Sequence, residues 1–500
     1  MEISDDEQEH IRKSHPIIIE LINRLLSQLL LFRERIHELE NRVHELENRL
    51  NLNTTNSSIP PSRNPLHKRK IPNSRVSSGK NPGGQKGHQG ATLLPVDNPD
   101  ITIQHKPTKC SGCGAPVQTH LTEFLDERQE LEIPPIPVKR IAHQIRSFHC
   151  PHCNTITNGQ FPKHITQKVQ YGLRLTAYVV YLSVYQLIPV ERLTYILRDF
   201  HGCSMSPGTV INMIERVRAN LEDFTEKIRE LLITSPVVNT DEMGVKVGKR
   251  KFWLHVASTN LLTLYGIFES RGHAGIKALG VLPQYFGIAV HDFWDSYFRY
   301  PCNHGYCNAH ILRELKRVEE ETKQNWAVRM RTHLIKAKKI SEIFHNKDQL
   351  VPEILVKHLN EEYSNIILEG LYANPPPIPI KGQKGRRKQP HSRNLLERMQ
   401  KHQNEILLFV INPLVPFDNN LAERDIRMPK LKMKISGLFR SENGAIAFSR
   451  IRSYISTMQK NDISIIDGLI QAANGEPWIP DYSDNTQYIP ESFIQEPVFA

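Results

Sequence analysis

No apolar run in this sequence of 500 residues approaches the ~18 residues that a membrane-spanning helix requires, so no helical span is expected. A secretory leader is missing as well: the N-terminus, MEISDDEQEH, is acidic and offers no basic segment ahead of an apolar core. Together these absences point to a cytoplasmic protein. Cysteine is sparse, with seven in the chain, and four of the seven form two Cys-x-x-Cys pairs. In a reducing compartment such pairs point to metal ligation rather than to a disulfide framework. Acidic residues are outnumbered, 53 against 64 basic ones, leaving a net charge of +11. Because the basic residues cluster, the expected partner is a polyanion, with nucleic acid ahead of membrane.

A chain of this length exceeds one ordinary core and should divide into about three domains with extended segments between them. Within residues 1–52, expected to form an N-terminal coiled coil, the heptad pattern is unbroken from Ile22 to Leu50: Ile22, Leu29, Ile36, Val43 and Leu50 at a, with mostly Leu at d. That distribution favours a two-stranded parallel coiled coil, with Arg35 and Arg42 at g facing Glu40 and Glu47 at e of a second copy. A single amphipathic helix packed on its own chain is the competing reading. Residues 53–103 then turn to Asn, Ser, Pro, Gly, Lys and Arg, including Lys68, Arg69 and Lys70. Such a stretch buries too little apolar surface to offset its ordering entropy. It reads as a basic arm that neutralises phosphates, or else as a solvated linker.

Over 104–160 the pairs Cys110/Cys113 and Cys150/Cys153 supply four thiolates, the ligand set of a structural zinc ribbon. The intervening LTEFLDERQELEI and VKRIAHQIRSFHC alternate as strands would. Residues 165–232 are helical by periodicity. Within them, PVERLTYILRDFHG, CSMSPGTV and INMIERVRANL read as helix, turn and helix, Gly202 ending the first and Ser206-Pro207 opening the second. This is a plausible helix-turn-helix for DNA.

From about residue 233 the pattern becomes β: three strands, a short helix and a fourth strand. Asp241 lies on the first strand and Asp292 just past the fourth. Carboxylates at strand ends face the crevice where α/β sheets bind ligands. A helix from about Cys307 to Glu321 closes this first part of the core, 233–323. A Lys-rich helical insertion with a basic loop follows over 324–404, and the core resumes over 405–480 ahead of a tail, 481–500. There Asn419, Asn420 and Glu423 share one face of a helix expected to begin near Asp418 or Asn419 and to stop before Pro429. Three carboxylates suffice to hold two divalent ions for in-line phosphoryl transfer. The plainer alternative makes Asp241 a turn residue, Asp292 a cap and Glu423 a partner of Arg427. Lys430, Lys432, Lys434 and Arg440 follow, with Arg440 to Gly444 reading as a tight loop; this cluster suits a phosphate backbone or, alternatively, a solvated face.

Several long motifs, NSSIPPS, GGQKGHQG, the double Cys-x-x-Cys, TDE, CNAHILREL, DNNLAERDIR and KISGLFRSENGA, resemble those of transposases of the insertion-sequence-66 family, a DDE group with a ribonuclease-H-like core. The resemblance runs almost end to end. It implies a multidomain α+β fold whose α/β catalytic core carries a helical insertion. It also implies that Asp241, Asp292 and Glu423 are the triad, holding two Mg²⁺ or Mn²⁺, besides one structural Zn²⁺. The activity implied is cleavage at transposon ends to free a 3′-OH, then transfer of that hydroxyl into target DNA. The implied partners are double-stranded DNA, a second copy of the chain and accessory proteins of the same element, at a bacterial nucleoid. A nuclease of the same fold without strand transfer, or an inert DNA-binding regulator, are the rival functions.

The chain departs from the family's usual middle motif, showing His291-Asp292-Phe293-Trp294-Asp295. Asp292 abuts the strand and is preferred, with Asp295 as runner-up. Glu242 should point to the opposite side of the strand from Asp241 and is left out. Cys302, Cys307 and His310 come near ligand spacing for a second zinc, while His310 and Arg313 on one helix face could instead line the DNA side.

Overall fold

The computed structural model describes residues 6, 7, 9, 16–53, 55–57, 95–118, 120, 122–377 and 389–481. The chain divides into two compact units, one of Met1–Pro72, Gln160–Leu193 and Pro207–Ala500, the other of Asn73–Gly159 and Thr194–Ser206. Among the described residues no helix is long and apolar enough to cross a membrane.

In the larger unit the heptad segment forms one helix, α1 (Pro16–Leu50). Its seam residues stay open, Leu29 at 63% and Ile36 at 56% exposure. Arg35 and Arg42 pair with Glu38 and Glu45 three residues on in the same helix. Directly after it, Asn56 donates to Glu320 (2.6 Å) and Thr55 accepts from Lys316 (3.1 Å).

The smaller unit contains a short antiparallel hairpin, β1 (Ser147–His149) and β2 (Ile156–Asn158). The strands expected over residues 121–146 do not form among the described residues. Alternation alone makes no strand without a face to bury, and Phe124 and Leu125 stand 81% and 94% exposed.

A helical segment follows: α2 (Leu173–Val180) running into a π turn (Tyr181–Tyr185), then α3 (Val190–His201), α4 (Pro207–Ala219) and α5 (Glu222–Ile233). As expected, Gly202, with φ +61°, ends α3 and Pro207 opens α4.

The sheet is built from β3 (Val237–Val247), β4 (Arg250–Ser258), β5 (Thr263–Phe268), β6 (Ile288–His291) and β7 (Asn303–Tyr306), with α6 (His273–Leu279) crossing between β5 and β6. Its order is β5-β4-β3-β6-β7. β3, β4 and β5 are antiparallel, whereas β6 runs parallel to both β3 and β7. The central strand is buried through Val238, Asn239 and Thr240, then alternates over Val245, Lys246 and Val247, as a strand does when its outer half is covered on one face.

Beyond the sheet come α7 (Asn308–Thr322), α8 (Asn325–His345), α9 (Glu353–Ala373), α10 (His391–Lys401) and α11 (Gln403–Ile411). They pack into an apolar cluster of their own around Trp326, Tyr363 and Leu396 that reaches the sheet at Val290 and Tyr306. The expected insertion is thus a small helical body, and α11 joins it. The last helices, α12 (Asn420–Ser436), α13 (Glu442–Lys460) and α14 (Ile465–Asn474), return to the sheet's main cluster through Ile426, Ile451, Tyr454 and Leu469.

Two local expectations are corrected here. α12 does not stop before Pro429 but continues through it to Ser436. A proline leaves the carbonyl four residues earlier without its helical donor; that carbonyl, of Asp425, accepts the Tyr265 hydroxyl instead at 2.8 Å. Nor is Arg440 to Gly444 a loop. Ser441 caps α13, its side chain accepting from the Gly444 N–H at 3.1 Å.

Candidate metal centre

Parallel pairing of β3 with β6 joins Val237, Val238 and Asn239 to Ile288, Ala289 and Val290. Extending that register by two residues sets Asp241 beside Asp292, both on the sheet face that carries Asn239. On this face α12 packs. Its N-cap Asn419 accepts from the Asn239 amide (2.9 Å) and donates to the Thr240 carbonyl (2.8 Å), immediately before Asp241. Glu423 follows one turn later, its N–H bonded to the Asn419 carbonyl at 3.2 Å. The three carboxylates thus come from a strand, a strand end and the start of a helix packed on that sheet, although among the described residues their ligand atoms do not all fall within 4.8 Å of one another.

Their electrostatics are those of a site short of positive charge. Burial pushes the Asp241 carboxyl up to about 8, with the charges of Glu242 and Asp292 adding to the rise and Lys430 opposing it. Asp292 is raised to about 6, again by burial first and Glu242 second, against Arg271 and Arg398. Two buried carboxylates that repel one another suit a divalent cation with oxygen ligands. The Asp292 carboxylate also accepts the Trp294 N–H at 3.2 Å, so it caps the following turn while remaining beside Asp241. Asp295 is exposed and begins the 3₁₀ turn Asp295–Arg299. Asp241 sits within β3 rather than in a turn, and no ion pair joins Glu423 to Arg427 among the described residues.

Glu242, expected to point away from Asp241, belongs to the neighbourhood: its charge raises both Asp241 and Asp292. Its side chain is 2% exposed; it pairs with Arg271 (2.8 Å) and accepts the Tyr297 hydroxyl (2.5 Å). Arg271 lies 4.3 Å from the centre of the Trp294 ring. This network ties the segment after Asp292 to β3. The adjacency of Asp and Glu was visible in the sequence, but Arg271 and Tyr297 carried no local signal there. Arg398, from the insertion, stacks 4.5 Å above Phe293 and bonds Glu314 at 2.6 Å, and its charge reaches Asp292.

Lys430 is exposed and its charge reaches Asp241 and His310. Lys434 and Arg440 are exposed too, whereas burial lowers the pKa of Lys432. Lys68, Arg69 and Lys70 lie outside the described residues. Among the described residues Cys302 does not join a ligand group; instead Cys307, His310 and Glu423 place their ligand atoms within 4.8 Å of one another.

In the smaller unit the two Cys-x-x-Cys turns have the same backbone. Gly114 and Asn154, at φ +74° and +62°, donate to the carbonyls of Cys110 and Cys150 at 3.0 and 2.9 Å. Cys110 and Cys150 donate back to Ala115 and Thr155 at 2.8 and 3.0 Å. Hydrogen bonds from Cys113 and Gly112 lower the pKa of Cys110, and hydrogen bonds with Thr155, then Cys150, lower that of Cys153. These turns fit a tetrahedral thiolate site. Among the described residues no three of the four sulfurs fall within 4.8 Å of one another. The exposed stretch between the turns lacks the strand pairing that would draw them together.

Residues 168–447 match the model described as Transposase IS66 family. The chain belongs to that family. Residues 107–154 match the zinc-finger binding domain of transposase IS66, and residues 10–93 a family of unknown function. No curated protein matches the chain. Membership of this transposase family identifies a nucleic-acid-processing protein with a zinc-finger domain, whose implied partner is DNA.

Proposed function

We propose that the protein is a DDE transposase that cleaves DNA at the ends of its element and transfers the freed 3′-OH into target DNA. The observation that supports this reading is that Asp241, within β3, and Asp292, just past the end of β6, come from adjacent parallel strands, and both carboxyls are raised chiefly by burial and by the charge of Glu242. Three antiparallel strands followed by two parallel ones, with the third carboxylate returning on α12, support a ribonuclease-H-like core. Asp241, Asp292 and Glu423 would hold two Mg²⁺ or Mn²⁺, which when bound polarise phosphoryl oxygens and neutralise charge in the transition state.

The chain's own groups do the rest. Lys430, seven residues after Glu423 on α12, holds a phosphate beside the carboxylates, helped by Lys434 and Arg440, with Lys432 behind them. The Glu242, Arg271 and Tyr297 network fixes the turn after Asp292. Cys110, Cys113, Cys150 and Cys153 would hold one Zn²⁺, closing the two turns into a ribbon. The open seam of α1 is buried by a second copy in a parallel coiled coil. α3 and α4 act as a helix-turn-helix, and Lys68, Arg69 and Lys70 add contacts to phosphate. The protein works in the bacterial cytoplasm, at the nucleoid, with accessory proteins of its element.

The test is incubation of the full-length protein with Mg²⁺, labelled end DNA and a target plasmid. Joined product is expected. Cleavage without joining would make the protein a nuclease, and DNA binding without cleavage a regulator.

A further inference from the structure

We propose that Cys307, His310 and Glu423 form a second metal site, for a borderline divalent cation such as zinc, that shares Glu423 with the carboxylate centre. The ligand atoms of the three lie within 4.8 Å of one another. The spacing is produced by two helix starts. Cys307 is the N-cap of α7 and His310 bonds back to its carbonyl at 3.1 Å, so thiol and imidazole lie on the first turn. Glu423 comes from the first turn of α12, whose N-cap Asn419 donates its N–H to the Cys307 sulfur at 3.2 Å.

Two independent observations point to a ligand here. The His310 Nδ1 is buried without a hydrogen-bond partner among the described residues, which leaves an imidazole nitrogen uncommitted. The Asn419 N–H, at a helix N-terminus, is placed to stabilise a thiolate at a sulfur that no solvent reaches.

The donor set decides the class of ion. Sulfur and imidazole nitrogen are poor partners for Mg²⁺ but suit zinc, for which three protein ligands leave one open position. Occupation would engage the Glu423 carboxylate and withdraw it from the hard-metal centre. Zinc would therefore be an inhibitor, a consequence that rests on the transposase reading, whereas the site itself does not.

The experiment is equilibrium dialysis of the full-length protein against zinc in excess Mg²⁺, with zinc counted per chain. Two ions are expected in the wild type, one of them lost in Cys307→Ala and in His310→Gln, the other in Cys110→Ser. His310→Gln changes a partly exposed position and keeps the test valid if Cys307→Ala folds poorly. A single ion in the wild type, or two retained in both Cys307→Ala and His310→Gln, would overturn the site. In Mg²⁺-supported cleavage, the zinc concentration that halves the rate should rise at least about 10-fold in His310→Gln relative to wild type. Zinc that fills the second site without slowing cleavage would refute the sharing of Glu423. Absence of cleavage in Mg²⁺ alone would count against the transposase reading, with dialysis still deciding the site.

Discussion

The carboxylates proposed to hold magnesium and the cysteines proposed to hold zinc are both drawn from widely separated residues, and the fold treats the two sets differently. Asp241 and Asp292 are brought together by strand register, and α12, which carries Glu423, is pinned by Asn419 to Asn239 and Thr240. The cysteine turns are each complete locally, yet the chain between them is exposed and the four sulfurs do not gather. Neither set has all its ligand atoms within 4.8 Å of one another among the described residues, but the backbone that carries the carboxylates is fixed by a packed core, whereas the two cysteine turns need an ion to close them.

The contrast can be broken most severely at the carboxylates. Asp241→Ala and Asp292→Ala should each lower joining by about 10³-fold or more, while circular dichroism shows the sheet unit still folded; activity within a few fold of wild type would remove the residue from the centre. Cys150→Ser should do the opposite. It is expected to weaken zinc binding by at least about 10-fold and to leave the melting of the larger unit unchanged, whereas a joint collapse would show that the two units fold as one.

A smaller effect is expected from pH. The folded-state pKa of Asp241 is raised to about 8 from an unfolded value of about 3.9, so its protonated form is favoured by folding. That contribution is complete below about pH 4 and is lost as pH rises through about 8; for Asp292, raised to about 6, the loss comes earlier. The metal-free protein should therefore melt a few degrees lower at pH 8.5 than at pH 5 on this account, with Mg²⁺ restoring the difference. Asp241→Asn should flatten the dependence, and Glu242→Gln should weaken it. A slope unaltered by Asp241→Asn would contradict the buried pair. The smallest change is Tyr265→Phe, which removes the donor to the Asp425 carbonyl before Pro429 and should cost about 1–2 kcal/mol in denaturant unfolding.

Much of this arrangement was legible in the sequence because it rests on local chemistry. The heptads of α1, the Gly202 and Pro207 boundaries and the β-β-β-α-β order follow from periodicity and cap residues. Even the adjacency of Asp241 and Asp292 needed one added assumption, that the first and fourth strands of the sheet are neighbours. What was hidden depends on distant partners. Continuation of α12 through Pro429 required Tyr265 from another strand, and no local rule supplies it. Arg271 and Tyr297 meet Glu242 only once the sheet forms, and Glu423, not Cys302, completes the group with Cys307 and His310. Alternation over residues 121–146 misled in the opposite direction, since a strand needs a neighbour as well as a pattern.

The most direct test of the central claim compares Asp292→Asn with Asp295→Asn in the joining assay, each with Mg²⁺ and end DNA. Asp292 is half-buried beside Asp241, whereas Asp295 is exposed on the following turn. Loss of both cleavage and joining is expected in Asp292→Asn, with near wild-type activity in Asp295→Asn; the reverse result would make Asp295 the middle carboxylate.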